Sequence, residues 1–410
     1  MTVSLTRRQV LIGGLGAAGV LAAAGGLRTE AGEPAASARP DRSQQAPAAP
    51  VAIQRCESYD PHVVRAKLDA ALRLIGGIGD LVRNKTVTVK LNLTGGSGPA
   101  CGLPAIRTYH THPAVVAALC ATLADEGAKQ VFLVESFYFR EPCEQALKAA
   151  GWDVDGIKSA GDQRVAFENT RNRGTWPAYS RLKVPWGGFV FPSLDVNQRY
   201  EKTDVFISVA KLKDHGAAGV TAAVKNLFGM PPQALYGSDA PDEDSLKARM
   251  PFHEGKPREV PGLPPAAVGP LPAEEPAWKF TVPRIVADCL GARPVDLAIV
   301  EAVETVIGGE GPWLKLRPTS PKLLLAGRNA VCTDAVCAAV MGYDPQAGHM
   351  QFPFPGENHL KLLASVGVGT NDLKRIAVKG LPIDQARHPF LAPGEKIASA
   401  ARPYYGVHLA

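Results

Sequence analysis

Residues 205–229 read VFISVAKLKDHGAAGVTAAVKNLFG and contain the transition that decides the fold. Val205–Ala210 is a short apolar run of strand length, and its β-branched residues favour a strand. Val220–Phe228 has the spacing of a helix, which Gly229 and Pro231 would end. The sequence therefore predicts a strand and then a helix, with a glycine-rich turn between them.

The predicted turn has the features of an anion pocket. Gly216 and Gly219 would let the backbone approach a ligand, and the first free N–H groups of the helix, from Gly219 to Thr221, favour an anion. Lys225 would share a helix face with Thr221. His215 could act as an acid, a base or a metal ligand. We predict a pocket for a carboxylate or a phosphate.

The lysines of this stretch also have a simpler interpretation. Lys211 and Lys213 alternate at the end of the strand, as solvated residues do, and Lys225 could lie on the surface of a short amphipathic helix. We nevertheless include Lys213 and Asn226 among the ligand contacts. What favours a site is the convergence of cations, His215 and glycines on one turn.

The N-terminus has the pattern of a twin-arginine export signal. The pair Arg7–Arg8 precedes a weakly apolar stretch rich in glycine and alanine, which is too short for a membrane span. We expect residues 1–38 to be a signal peptide, with cleavage options at 22–24 and 36–38, and residues 39–55 to be a flexible linker. The twin-arginine machinery would export the protein to the periplasm or the extracellular space, without a transmembrane segment after cleavage.

Composition limits the function classes. The 410 residues include 45 Lys or Arg and 39 Asp or Glu, a formal net charge of +6. No basic run is interleaved with aromatic residues, so we expect no nucleic-acid partner. The seven cysteines fit neither a zinc ribbon nor a ferredoxin cluster. Four of them are expected in the core, namely Cys120, Cys289, Cys332 and Cys337. A disulfide could join two of the others, which are Cys56, Cys101 and Cys143.

Strand and helix patterns alternate along the chain. Predicted strands cover 86–93, 130–135, 204–210, 296–300, 322–326 and 375–378, and predicted helices cover 113–126, 141–150, 220–228, 282–290, 330–341 and 359–366. This alternation favours an α/β fold, a mostly parallel sheet with helices on both faces. We predict a single domain over 56–400, with ligands at the carboxyl ends of its strands.

A long proline-rich insertion interrupts this pattern at 231–278. Eleven prolines lie between Pro231 and Pro276, and they exclude regular sheet or a long helix over most of the span. We predict an excursion over the surface that could fold back as a lid over the Lys225 helix. His253 would be its functional residue, and a solvated loop histidine is the alternative.

A second polar segment follows the first strand. Lys90 and Asn92 lie at the strand end, and a glycine-rich loop leads to His110 and His112. Two histidines one residue apart point to the same side of an extended segment and suit a metal, although His112 could instead cap the next helix. This loop and the loop of His215 would leave the sheet at the same edge. The candidate metal ligands are His110, His112, His215 and His253.

Two carboxylates complete the polar residues that we consider. Glu310, in the glycine-rich segment 307–312, follows the strand at 296–300 and could reach the same edge to serve a metal or a proton transfer. Asp334 falls in the first turns of a helix that Asn329 would cap, where a carboxylate is favoured by the helix dipole. We expect a functional role for Glu310 and a structural one for Asp334.

Several blocks, in order across about 90–370, resemble those of a bacterial and archaeal family, domain-of-unknown-function family 362. They are KLNL at 90–93, THP at 111–113, KLKDH at 211–215, GVT at 219–221, KNLFG at 225–229, GEGP at 309–312, DAV at 334–336 and GYDP at 342–345. The resemblance implies no biochemistry, since the family has no settled activity. Some members carry ferredoxin-like cysteine motifs, which this chain lacks.

The spacing of His215, Gly219 and Lys225 is also similar to that in the nickel-pincer lactate racemases, which have a Thr-His pair like Thr111–His112. In those enzymes the lysine tethers a nicotinate-derived cofactor, and histidines carry protons and bind the metal. The similarity implies Lys225 as tether or anion contact and His112 and His215 as an acid–base pair. The chain has VTAA where those enzymes have a Ser-Gly-Gly turn. This difference bears on whether Lys225 could form the covalent tether.

We therefore expect an exported enzyme that binds a small anionic substrate or cofactor. Lys225 would anchor the anion and His215 would carry protons, with His112 and Glu310 as further acid–base or metal-assisting groups. The alternative is a carrier that holds an anion or a metal without turnover. A third interpretation is a structural protein in which the strand–helix junction is only well built.

Overall fold

A computed structural model describes residues 39–171, 179–237, 249–256, 268–269, 271, 273–274, 276–392 and 394–395. The expected signal peptide at 1–38 lies outside these residues. Contacts group the described residues from Pro40 onward into one compact unit. Within the described residues, no helix has the length and the apolar character needed to cross a membrane.

Strands and helices alternate along the described residues. The strands are β1 (Val51–Arg55), β2 (Thr86–Lys90), β3 (Gln130–Glu135), β4 (Val165–Asn169), β5 (Tyr179–Lys183), β6 (Ser193–Asn197), β7 (Val205–Lys211), β8 (Lys213–His215), β9 (Gly219–Thr221), β10 (Leu297–Ala302), β11 (Thr305–Ile307), β12 (Arg317–Thr319), β13 (Leu323–Gly327) and β14 (Val378–Gly380). The helices are α1 (Pro61–Leu74), α2 (Gly79–Val82), α3 (Pro113–Asp125), α4 (Cys143–Ala149), α5 (Val154–Ala160), α6 (Ala223–Asn226), α7 (Gln233–Tyr236), α8 (Met250–His253), α9 (Trp278–Ala292), α10 (Ala330–Val340), α11 (His359–Ser365) and α12 (Ile383–Ala386).

Eight of these strands form one sheet in the order β14-β1-β13-β10-β7-β2-β3-β4. The pairs that run from β10 through β7, β2 and β3 to β4 are all parallel. β13 is antiparallel to both of its neighbours, β10 and β1, while β14 is parallel to β1. The prediction of a mostly parallel sheet is confirmed.

Side chains alternate between the two faces of the sheet, and each face carries helices. Along β7, Val205, Ile207 and Val209 belong to a hydrophobic cluster that includes apolar residues of α1, α3 and α5. Phe206 belongs to the cluster on the other face, with residues of α6, α9, α10 and α11. β7 is buried along its whole length, as its unbroken apolar run predicts. The predicted helices on both faces are therefore confirmed.

The connections between strands reverse direction between β2 and β7. From β2 the chain continues to β3 and β4 on one side of the sheet, whereas from β7 it continues to β10 on the other side. The carboxyl ends of strands at such a reversal form a crevice where ligands bind. Lys90 ends β2 and pairs in register with Ser208 of β7, so the loops that follow these two strands leave the sheet side by side.

β1 corrects the predicted domain boundary. The sequence assigns 39–55 to a flexible linker, but Val51–Arg55 lies within the sheet between β13 and β14. The first three residues of β1 have no exposed surface. Local composition rich in alanine, proline and glutamine conceals this strand, because its partners come from the C-terminal part of the chain.

The described residues of the insertion at 231–278 include a buried part. α7 is buried along its length, and Phe252 of α8 has 0% exposure. The Phe252 ring lies 5.0 Å from the Phe228 ring and 4.7 Å from the Tyr236 ring. For these residues the prediction of a surface excursion is wrong, because aromatic side chains anchor them in the core.

All seven cysteines are free thiols. The four cysteines predicted in the core are buried, which confirms that part of the prediction. The other three, Cys56, Cys101 and Cys143, form no disulfide, and Cys56 is instead buried, where its thiol donates to Ser58 O at 3.4 Å.

Candidate functional site

The turn after β7 is a small hairpin and not a direct passage into a helix. β8 and β9 pair antiparallel, with Lys213 opposite Thr221 and His215 opposite Gly219. The predicted helix at 220–228 is therefore wrong at its start, because Gly219–Thr221 is β9 and the helix α6 begins only at Ala223. Strands of three residues carry too little apolar alternation to be recognised in the sequence.

One face of this hairpin is polar. Residues directly opposite each other, and residues two apart along a strand, lie on the same face, so Lys213, His215 and Thr221 share a face. Thr221 is 3% exposed, and its Oγ1 has no hydrogen-bond partner among the described residues. A buried hydroxyl without a partner is rare, and it marks this face as one that offers a hydrogen bond.

Gly219 serves the packing of the hairpin. Its φ is +72°, and a Cβ at this position would lie 2.9 Å from Phe354 Cδ1 and from Pro353 O. Glycine is thus required by the backbone conformation and by the segment that covers it. Packing therefore explains the glycine at 219 without the predicted approach of a ligand. Gly216 differs, because its N–H group donates to Glu310, as described below.

His215 is held as a neutral imidazole. Its Nδ1 accepts hydrogen bonds from the N–H groups of Ala217, at 3.0 Å, and Ala218, at 3.3 Å. Burial, and then the charge of Lys225, lower the pKa of His215 well below its usual value. A neutral ring whose Nδ1 accepts must carry its proton on Nε2. His215 therefore presents an N–H donor.

Lys225 is a buried cation without a counter-ion. It lies on α6 with 8% exposure, and its Nζ has neither a hydrogen bond nor an ion pair among the described residues. Its nearest aromatic contact is Phe228, whose ring centroid is 4.5 Å from Nζ. Burial lowers the pKa of Lys225 to about 8, with the charge of Glu310 opposing the shift. An anion bound beside Lys225 would therefore stabilise its ammonium group.

Lys213 resembles Lys225 in lacking a carboxylate within ion-pair distance among the described residues. It is fully buried, and its Nζ donates a hydrogen bond to Tyr109 O at 2.5 Å. Burial lowers its pKa to about 7, with the charge of Glu310 opposing and that of Lys211 adding to the shift. The alternative interpretation, that Lys213 is solvated, is therefore wrong.

Glu310 reaches the hairpin, as the sequence predicts for its strand edge. Its Oε2 accepts from the Gly216 N–H at 3.0 Å, and its Oε1 accepts from Trp313 Nε1 at 3.2 Å. These two donors hold the carboxylate beside the turn, where its charge acts on Lys213 and Lys225. Glu310 is half-buried, so it is the acidic group of the site that solvent can reach.

The charge of Lys225 affects the pKa of two further histidines, His253 and His359. His253 of α8 has its Nδ1 2.6 Å from Arg249 O, and its ring lies 4.7 Å from that of Phe228. Burial, with the charge of Lys225 as a contributing cause, lowers the pKa of His253 to about 4. The described part of the insertion therefore lies against the Lys225 segment, which is compatible with the predicted lid.

The second of these, His359, is absent from the sequence-based predictions. It begins α11, is 1% exposed, and its Nδ1 has no hydrogen-bond partner among the described residues. Burial and then Lys225 lower the pKa of His359 to about 3, which makes its imidazole neutral. Nothing in its local sequence signals a site, because His359 reaches Lys225 only through tertiary packing.

The N-terminus of α6 is filled by an internal carboxylate. Asp334 Oδ1 accepts from the Ala223 N–H at 2.9 Å, and Oδ2 accepts from the Val224 N–H at 2.8 Å. Burial raises the pKa of Asp334 to about 7. The prediction that the N–H groups of Gly219–Thr221 form a helix N-terminus is wrong, because Gly219–Thr221 is β9. The prediction that Asp334 serves its own helix is also corrected, since it caps α6 from α10.

Three predicted ligand contacts lie at the end of β2 or contact it, namely Lys90, Asn92 and Asn226. Lys90 Nζ forms a buried ion pair with Glu135 Oε1 at 2.6 Å, and it donates to Leu91 O at 2.8 Å. Asn226 donates from Nδ2 to Ser208 Oγ at 3.0 Å. These partners tie Lys90 and Asn226 to the sheet. Asn92 differs, because its buried Oδ1 has no partner among the described residues.

Lys211 belongs to a buried network and not to the surface. Its Nζ lies 2.5 Å from Glu301 Oε1 in a fully buried ion pair, and it donates to Glu304 O at 2.9 Å and Tyr59 Oη at 3.0 Å. Burial lowers the pKa of Lys211, with Glu301 opposing the shift. The prediction that Lys211 is solvated is wrong, because its partners come from distant segments.

The hydrogen-bond partners of His112 and His110 differ from those of His215. His112 Nδ1 accepts from the Ala114 N–H at 3.1 Å and caps α3, so the capping alternative is confirmed. Its ring stacks on Tyr59 at 3.4 Å, beside the Lys211 network. His110 Nε2 lies 3.0 Å from Thr94 O. Burial lowers the pKa of both histidines to about 3.

The described residues do not provide the set of ligands that the predicted metal site requires. The described residues contain no group of three or more His, Cys, Asp or Glu side chains that could hold a metal ion. Each of the four candidate histidines also has a ring nitrogen at hydrogen-bond distance from backbone atoms, as given above. These residues do not fit a metal centre that draws three protein side chains.

Comparisons with known proteins give a family and partial likenesses. A family model described as "Domain of unknown function (DUF362)" matches residues 87–339. The curated Thylakoid-associated protein sll1697 of Synechocystis sp. is 28% identical over 193 residues, which are 44% of this chain and 50% of that protein. This chain thus spans about half the length of that relative.

Two solved structures are also similar. One is the crystal structure of a Thermotoga maritima protein, with 13% identity, a TM-score of 0.37, and coverage of 69% of this chain and 59% of that one. The other is the lactate racemase apoprotein of Thermoanaerobacterium thermosaccharolyticum, with 15% identity, a TM-score of 0.37, and coverage of 72% and 57%.

Proposed function

Because this chain belongs to the DUF362 family, whose description assigns no activity, we propose its function from the site itself. The protein binds a small anionic ligand at the polar face of the β8–β9 hairpin and transforms it by acid–base chemistry. Lys225 anchors the anion, His215 donates a hydrogen bond to it from Nε2–H, and Glu310 gives or takes the proton. We further propose that the protein acts after export, as its twin-arginine pattern suggests.

The observation that carries this proposal is the uncompensated charge of Lys225. A buried ammonium group without a counter-ion is costly, and proteins usually pair such groups. The same chain does pair Lys90 and Lys211, both with carboxylates within 2.6 Å. A ligand anion would supply for Lys225 what Glu135 and Glu301 supply for those two lysines.

The proton chemistry follows from the hydrogen bonds of the site. His215 offers Nε2–H, so it would donate a hydrogen bond to a ligand atom that gains negative charge while keeping its proton. Glu310 is half-buried and acts as the complementary acceptor near the same turn. The orphaned Thr221 Oγ1 and His359 Nδ1 would orient the ligand by hydrogen bonds, because both are buried without partners.

Anion binding can be tested directly with simple probes. We expect acetate or inorganic phosphate to raise the thermal midpoint of the purified protein, and we expect this shift to disappear in Lys225→Met. The affinity should also fall as the pH rises through about 8, because the Lys225 ammonium loses its proton there. Lys225→Arg keeps its charge at all these pH values and should move this fall to higher pH.

An exposed lysine provides the matched control. Lys361→Met, on the outside of α11, should leave the anion-induced shift unchanged. Absence of any shift in the wild-type protein, or an equal shift in Lys225→Met, would contradict the binding site. If anions bind and a panel of small carboxylates and phosphate esters shows no turnover, the non-catalytic carrier is the better description. Turnover that is lost in His215→Gln, with binding retained, would support the enzyme.

A further inference from the structure

Buried cations outnumber carboxylates around Lys225. Lys213 and Lys225 both lack an ion-pair partner among the described residues, and Glu310 is the carboxylate whose charge opposes the pKa shifts of both. The neighbouring Lys90 and Glu135 neutralise each other. Lys213, Lys225 and Glu310 together therefore leave a surplus of one positive charge.

Arg249 adds a third cation of this kind. It precedes α8, is 5% exposed, and has no carboxylate within ion-pair distance among the described residues. Its Nε donates to Pro231 O at 2.7 Å, while among the described residues its terminal nitrogens make only long contacts of 3.4 Å with Gly229 O and Tyr138 Oη. A guanidinium group carries five N–H donors, so Arg249 has donors that these weak contacts do not use.

Arg249 also lies close to the anion anchor. The carbonyl group of Gly229 that it contacts belongs to the turn directly after Phe228, whose ring lies under Lys225 Nζ. After burial, the charge of Arg249 is among the causes that lower the pKa values of Lys225, Lys90 and His253. Arg249 thus acts on the same region from the side of the insertion.

We propose, resting on the proposed function, that the ligand carries two negative charges and that Arg249 binds the second one. The chemical class is a dicarboxylate or a phosphate group, since a planar guanidinium fork matches both kinds of oxygen pair. Lys225 contacts one anionic group and Arg249 the other, or both contact one phosphate. The described residues supply no internal carboxylate for this position, and in this proposal the ligand supplies the negative charge.

Calorimetric titration of the full-length protein with matched anions tests this proposal. Acetate carries one charge, succinate carries two on separate carboxylates, and methyl phosphate carries its charge on one phosphate. We expect succinate or methyl phosphate to bind about tenfold to a hundredfold more tightly than acetate, as a charge-assisted hydrogen-bonded contact adds. Whichever of the two binds more tightly identifies the dicarboxylate or the phosphate class.

Variants assign this preference to Arg249. Arg249→Gln should remove most of the preference while acetate binding persists, Arg249→Lys should keep part of it, and the exposed Arg387→Gln should keep all of it. Equal affinity of the wild-type protein for all three anions would overturn this inference and leave the anion site intact. No binding of any anion would overturn both proposals. The wild-type comparison does not depend on whether Arg249→Gln folds.

Discussion

The buried lysines of this protein fall into two groups. Lys90 and Lys211 end strands of the central sheet, and each has a carboxylate within 2.6 Å. Lys213 and Lys225 lie after β7, on the hairpin and on α6, and have no carboxylate at ion-pair distance among the described residues. Both groups are at least 92% buried, so exposure to solvent does not explain the difference.

The difference separates structure from function. A buried ion pair that is complete within the protein holds segments together, and removing one partner leaves a charge that nothing else can neutralise. A buried cation left incomplete lowers stability and is retained where a ligand completes it. The paired lysines should therefore matter for stability and the unpaired ones for binding.

The largest effect is expected from breaking the pair of Lys211. Glu301→Gln keeps the shape of the side chain but leaves the fully buried Lys211 ammonium without its counter-charge. We expect the free energy of unfolding to fall by about 3 to 5 kcal/mol, measured by urea unfolding at pH 7. The exposed pair of Arg317 and Glu395 is the control, and Glu395→Gln should cost less than about 1 kcal/mol. Similar losses in both variants would contradict the comparison.

The second prediction has the opposite sign. Lys225→Met removes a buried charge that lacks a partner, so the free energy of unfolding without ligand should stay the same or rise by about 1 to 2 kcal/mol. The same urea series measures it, with Lys361→Met as the exposed control. A large loss of stability in Lys225→Met would show that Lys225 has a structural partner. The distinction between paired and unpaired lysines would then fail.

The third prediction concerns pH. Unfolded Lys225 keeps its proton up to the ordinary pKa of 10.5, whereas burial lowers the folded pKa to about 8. Between these values the unfolded chain binds more protons, so this lysine makes the free energy of unfolding rise with pH, by at most about 1.4 kcal/mol per unit. The difference between the wild-type protein and Lys225→Met, measured from pH 7 to 10, isolates this slope. A pH-independent difference would refute the uncompensated charge.

The smallest effect is expected from the residue that fixes the start of α6. Asp334→Asn keeps one oxygen to accept from the Ala223 and Val224 N–H groups, so the free energy of unfolding should fall by about 1 kcal/mol. The exposed Asp384→Asn is the control. Anion affinity should weaken as well, because α6 carries Lys225. Unchanged stability and unchanged affinity would mean that Asp334 does not position this helix.

The sequence predicts the sheet well because its signals are local. The apolar run of β7 and the proline at the start of α3 each mark an element within a few residues, and both are found. The hairpin of β8 and β9 is missed, because three-residue strands have no period to detect. β1 is missed because its pairing depends on strands from the other end of the chain.

The candidate site was only partly predictable, again for reasons of distance. Glu310 contacts the hairpin of His215 because the segments that carry them follow strands at the same edge of the sheet, and the charge of Lys225 acts on His215. The burial of Lys211 and the presence of His359 could not be predicted, because each depends on a partner far away in sequence. Pairing with a distant carboxylate is what separates Lys211 from Lys225, and no local pattern encodes it.

The position of β1 in the sheet affects the order in which the strands can pair during synthesis. This strand lies near the beginning of the described chain, yet its two neighbours in the sheet are β13 and β14. During synthesis, β2, β3 and β4 can pair as soon as they emerge, whereas β1 must wait until β13, residues 323–327, has left the ribosome. Contacts of such long sequence separation slow folding. Until then the edge of β10 is an open template, at which another chain could pair.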